Sequence, residues 1–139
     1  MKTLLASLFF TSTCFGVSNE RMLTAIALVE SGGNRLAIGD HHLAYGAWQM
    51  HRLAWIDGNR WLASQGLPTY PISQWRDPKA QKMVALGYLE GFRRLFKAQG
   101  VSDPTPEQIA TCWHLGWAGA MRSGFQASDY AQRVSNLAR

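Results

Sequence analysis

Residues 18–34 read SNERMLTAIALVESGGN, and this stretch decides the fold class. Ser18 and Asn19 are good helix N-caps, and Glu20 then falls in the first turn, where the helix dipole favours a negative charge. Leu23, Ile26 and Ala27 recur at helical spacing. Glu30 continues the same face, at i+7, i+4 and i+3 from them. Ser31-Gly32-Gly33-Asn34 stops the helix. The inward face of an amphipathic helix therefore ends in a carboxylate. Apolar surroundings and the negative end of the helix dipole both raise the pKa of an acid placed there.

Downstream, residues 35–45 carry turn chemistry, with Gly39-Asp40 inside, and a small hairpin fits that loop. Gly46 makes a tight turn into Trp48-Gln49-Met50. A helix is expected through Leu53, Trp55 and Ile56, and a further short one from Trp61 to Ser64. Gly66 to Trp75, with Pro68 and Pro71, reads as an irregular loop. Asp77-Pro78 is a cap followed by proline at the first helical position. The long helix after it carries Met83, Val84, Leu86, Leu89, Phe92, Leu95 and Phe96, and Gly100 ends it. Thr105-Pro106-Glu107-Gln108 is a capping box that launches a helix from Ile109 to His114. Ser128 or Asp129 caps a last helix through Tyr130, Val134 and Leu137. No stretch alternates cleanly enough for a larger sheet. The expected fold is a single, mainly α domain with a small β-hairpin.

Upstream, Lys2, the apolar run Leu4 to Phe10 and the small or cleavable positions Thr13, Cys14 and Gly16 read as an export signal. Residues 1–16 are assigned to it and residues 17–139 to the domain, with a periplasmic or extracellular destination. The alternative is an N-terminal helix retained in the fold. The run is too short to span a bilayer, so no stable membrane insertion is expected. Thr11-Ser12-Thr13-Cys14 lacks the leucine of a lipoprotein box. Loss of Cys14 would leave Cys112 alone among apolar neighbours, as a buried thiol without a disulfide partner.

The 139 residues suit one domain, and 47% hydrophobic with 17% charged residues excludes a disordered chain. A formal charge of +5 draws the protein to polyanions, among them the carboxylate-bearing cell wall. Lys79, Lys82, Arg93, Arg94 and Lys97 fall on one helix and read as a solvated face. Six tryptophans are many for this length, and a surplus of them suits a groove that stacks flat rings.

Of the four glutamates, Glu20 occupies a first turn, Glu107 a capping segment, and Glu90 a place beside Arg93 and Arg94 that suits an exposed ion pair. Glu30 alone continues an apolar stripe. It is the candidate acid; the structural alternative is an ion pair with a core arginine, or a cap on the following loop.

Glu30-Ser31, then Gly46-Ala47-Trp48-Gln49-Met50, then Ala110-Thr111-Cys112-Trp113-His114-Leu115-Gly116, then Tyr130 in a late Tyr-x-x-x-Val segment follow in order. This set resembles the catalytic domain of soluble lytic transglycosylases, whose landmarks are Glu-Ser, Gly-Leu-Met-Gln, Ala-Tyr-Asn-x-Gly and Tyr-Val. The resemblance implies a lysozyme-like domain that cleaves peptidoglycan glycan strands, with Glu30 as acid and then base. It implies that Ser31 positions the strand, that Gly46 lets the backbone approach the glycan, and that Gln49 and Tyr130 bond near the reacting sugar and orient Glu30. Trp48, Met50, Trp113 and His114 complete the implied binding set. His114 stands where that family has asparagine, and Trp113 where it has tyrosine.

The Gly39-Asp40 loop before a Trp-Gln-Met run is also similar to goose-type lysozymes, and Ala44 to Met50 to invertebrate-type lysozymes. Asp40 is then a second carboxylate that guides water, or else a turn residue bonding its own backbone. Where goose-type enzymes often carry an acid after the glutamine, this chain has His51 and Arg52. A lytic transglycosylase needs one acid, a hydrolytic lysozyme a second group; a non-catalytic glycan-binding module is the rival from outside enzymology. His41, His42, His51 and His114 form no His-pair motif and Cys112 has no partner cysteine, so no metal or other cofactor is expected. No nucleic-acid signature is present, and a monomer is expected.

Overall fold

The computed structural model describes residues 16–139. Apart from Gly16, the expected export signal lies outside the described residues, as does Cys14. Among those described, five α-helices and one two-stranded sheet follow in the order α1 (Asn19–Ser31), β1 (Ile38–Gly39), β2 (Ala44–Tyr45), α2 (Arg52–Ser64), α3 (Pro78–Ala98), α4 (Pro106–Arg122) and α5 (Asp129–Ala138). A short 3-10 turn, Ile72–Gln74, interrupts the loop before α3. The chain is mainly α with a small hairpin, as its patterning requires. No helix among the described residues is long and apolar enough to cross a membrane.

Local chemistry sets the helix ends. The Ser18 side chain accepts from the Arg21 N–H, Asp77 from those of Lys79 and Ala80, and Ser128 from that of Ala131. Gly32 closes α1 in the left-handed region (φ 66°), which a glycine adopts without a Cβ clash. Its N–H returns to the Leu28 carbonyl at 3.0 Å, and that of Gly33 to Ala27 at 3.1 Å. The Thr105–Gln108 capping box is complete in both directions. Thr105→Ala should cost about 1 kcal/mol of stability; a denaturation midpoint unmoved from wild type would show that the box contributes nothing.

The core is one cluster to which every helix contributes, with Met22, Ile26, Leu62, Val84, Leu89, Ile109 and Val134 buried throughout. Helix α2 lies along α3, and α1 and α4 both pack on α5. The α2–α3 contact is close because Gly58 and Gly87 face each other: a Cβ on Gly87 would strike the Gly58 carbonyl, and one on Gly58 the Val84 carbonyl.

Several boundaries differ from the sequence expectation. Leu53 to Ser64 is one helix rather than two pieces, because Gly58 serves close packing and does not break the chain direction. Of its expected apolar face only Trp55 is buried; Leu53 is 75% exposed. Helix α4 runs past His114 to Arg122, with its backbone broken at Gly116 (φ 72°, ψ 167°). In α5 the buried positions are Ala131, Val134, Ser135 and Ala138, so Leu137 points outward. Glu90 takes the Asn19 amide as partner, while Arg93 donates to the Asn19 and Val17 oxygens, so the expected Glu90–Arg pairing is replaced by a tie to the start of α1. Glu107 does more than cap: it accepts from Ser135 at 2.6 Å and pairs with Arg139 at 2.7 Å, joining α4 to α5.

Candidate active site

Glu30 sits one residue before the C-terminus of α1, and its carboxyl lines an open cleft of about 580 Å³. The hairpin side supplies Asp40, Ala44, Gln49, Met50 and His51. Leu53 and Ala54 come from α2, Tyr88 from α3, and Trp113 to Gly116 from α4. The helix stripe that buries Leu23, Ile26 and Ala27 thus delivers the next residue on that face to the cleft wall.

Tyr130, from α5, donates its hydroxyl to Glu30 Oε1 at 2.8 Å. Its ring stacks on His114 with centroids 4.4 Å apart and planes 21° from parallel. Burial pushes the Glu30 pKa up from 4.5; the Tyr130 hydrogen bond and the nearby imidazoles of His114 and His51 oppose that rise without cancelling it. Desolvation therefore wins, and the carboxyl holds its proton to a higher pH than a free glutamate does. Burial, with the neighbouring Glu30 charge, also raises the pKa of Tyr130, which remains a phenol donor. Tyr130→Phe removes the bond that favours the charged carboxylate, so the Glu30 pKa should climb further. Carbon NMR titration of Glu30 in both proteins measures this; an unchanged or lower value in the variant would contradict the arrangement.

Asp40 lies at the cleft rim, half-exposed, and its carboxylate meets His51 Nε2 at 2.9 Å. Asp40, His41 and His42 all have left-handed backbones (φ 48°, 53° and 68°), as does Gln49 (φ 47°). Such conformations carry strain in residues with a Cβ and recur at ligand-binding loops. Of the four histidines, His51 and His114 line the cleft, and no group of three or more His, Cys, Asp or Glu side chains among the described residues could hold a metal ion.

Several residues expected to touch a ligand also make contacts within the protein that hold the site together. Ser31 donates to the Ala47 carbonyl at 2.7 Å, tying the end of α1 to the Gly46–Met50 turn. Trp48 is half-buried and donates to the Leu23 carbonyl at 2.8 Å. Gly46 is buried against the Gln81 side chain, which would collide with a Cβ there, so its missing side chain serves internal packing. Gln49 lines the cleft; its amide donates to the Gly46 and Ala37 carbonyls at 2.9 and 3.3 Å and makes no hydrogen bond to Glu30. Met50 and Trp113 are buried with one edge toward the cleft, and the Trp113 indole N–H reaches the Trp48 carbonyl at 3.4 Å. Cys112 is buried, and its thiol is pushed up to about 12 by desolvation, which leaves it an unreactive core residue.

Two residues that matter here escaped the sequence reading, Gln81 and Tyr88. Gln81 is buried, accepts from the Ala47 N–H at 3.2 Å and donates to the Arg35 carbonyl at 2.7 Å, so one amide fixes both ends of the hairpin segment. Tyr88 meets Trp113 edge-on at 4.9 Å and walls the cleft. Both lie on the helical stripe Gln81, Val84, Tyr88, Phe92, and a polar residue on an otherwise inward stripe is the signal that could have found them.

No protein-family model, curated protein or solved structure matches the chain.

Proposed function

We propose that the protein is a lytic transglycosylase that cleaves peptidoglycan glycan strands at the β-1,4 bond between N-acetylmuramic acid and N-acetylglucosamine. The observation that carries this reading is the Glu30 carboxyl, set in the wall of an open cleft, raised in pKa by burial and held by Tyr130. Glycoside cleavage uses an acid that keeps its proton toward neutral pH, and desolvation shifts the Glu30 carboxyl in that direction. The ordered motifs from Glu30 to Tyr130, which resemble those of soluble lytic transglycosylases, support the same class.

In this mechanism protonated Glu30 gives its proton to the glycosidic oxygen as the bond from that oxygen to the sugar's anomeric carbon breaks. The carboxylate then takes the proton of the 6-hydroxyl of the same sugar as that oxygen bonds the anomeric carbon, closing a 1,6-anhydro ring. Glu30 ends protonated, and no water is consumed. Tyr130 steadies the charged form between the two transfers. Its stacking partner His114 offers a planar surface to the strand, with the edge of the Trp113 indole in the cleft wall beside it.

A second reading, hydrolysis, is favoured by one observation: Asp40, held by His51, lines the same cleft. Asp40 would guide a water to the anomeric carbon, and the product would carry a reducing end. Clearing of wall-impregnated gels separates both readings from simple binding. Wild-type protein should clear the gel and Glu30→Gln should not; failure of wild type to clear would remove the enzymatic reading.

A further inference from the structure

Beside the cleft lies a second groove of about 330 Å³, lined chiefly by Trp61, Tyr88, Gly91, Phe92, Arg94 and Trp117. It shares Tyr88 and Gly116 with the cleft, so the two are neighbouring stations on one surface track. We infer that this groove is a second subsite for the same strand, taking a further sugar ring together with its carboxylate-bearing substituent. The inference rests on the reading of the cleft as a glycan site.

Three observations support it. The groove is walled by half-buried aromatic rings, which stack well on the apolar face of a sugar. Arg94 stands at its rim with no carboxylate partner among the described residues; its neighbour Arg60 is already paired with Asp57 at 3.0 Å. A guanidinium in that position suits an incoming carboxylate. The third is Gly91. A glycine inside a helix is destabilising by about 0.5–1 kcal/mol relative to alanine. Gly58 and Gly87 have a packing reason for theirs, whereas a Cβ at Gly91 would meet nothing within 4 Å. No described residue fills that open space, and a bound ring would use it.

Gly91→Phe projects a ring into the groove from a helix position where a Cβ meets no described atom within 4 Å, and Arg94→Ala removes the cation. Each is compared with wild type on purified wall strands of graded length, with free or amidated carboxylates, and on the shortest fragment the enzyme cleaves. Gly91→Phe should raise KM for long strands about tenfold, and leave the shortest fragment's turnover unchanged. Arg94→Ala should weaken only substrates with free carboxylates. Equal kinetics at every length, or an equal loss at every length with wild-type thermal stability, overturns the subsite while leaving Glu30 chemistry intact. A wild-type protein that cleaves no strand overturns both.

Discussion

Glu30→Gln should lower strand cleavage by about 10²–10⁴-fold, the range for loss of a positioned general acid and base. Its amide still accepts the Tyr130 hydroxyl but has no proton to transfer. The same substitution should stabilise the fold in one direction of pH only. Burial raises the Glu30 pKa above its unfolded value near 4.5, so the native state holds this proton more tightly than the unfolded chain. The associated stability is complete below the unfolded pKa and is lost as pH rises through the elevated one. Glutamine carries no such loss. Wild type and variant should therefore unfold alike at low pH on this account and diverge as pH rises, with the variant the more stable. Denaturation series across pH measure the divergence; a variant equally stable or weaker at neutral and alkaline pH would show that Glu30 is not desolvated.

Gly87→Ala should destabilise the protein by about 2 kcal/mol or more, against the general rule that alanine improves a helix. The reason is the α2–α3 crossing. The new methyl would strike the Gly58 carbonyl and crowd Leu62 Cγ, and backbone cannot swing aside as a flexible side chain can. Because Val84 and Leu62 are both fully buried at this contact, separating the helices would also open the core. Gly91→Ala, one turn further along α3, is the control: with no atom in the way it should stabilise by about 0.5–1 kcal/mol. Equal effects at the two positions would mean that the helices do not meet as described.

Much of the fold was legible because its instructions are local. Ser18, Asp77, Thr105 and Ser128 cap helices through bonds to residues two or three positions away, and Gly32 ends α1 within its own turn. Glu30 stood out for the same reason, as the continuation of a stripe. What was not legible concerns residues that answer to a distant partner. The segment Arg52–Ser64 was expected as two helical pieces but is one helix, whose Gly58 packs against Val84 and Gly87 of α3. Ser31, Gly46 and Trp48 were expected to serve the substrate, and their internal contacts with Ala47, Gln81 and Leu23 could not be read from the sequence. Periodicity alone cannot say that Gln81, 34 residues beyond Ala47, turns its amide to that loop. The Asp40–His51 pair and the groove at Gly91 were invisible for the same cause.

The central claim of the proposed function, intramolecular transfer by one half-buried acid, is tested most directly by mass spectrometry of fragments released from purified wall by wild type and by Glu30→Gln. The prediction is anhydro-ended fragments, one water lighter than hydrolysis products, from wild type alone. Reducing-end fragments from wild type would contradict ring closure, and release by the variant at the wild-type rate would contradict the role of Glu30 itself.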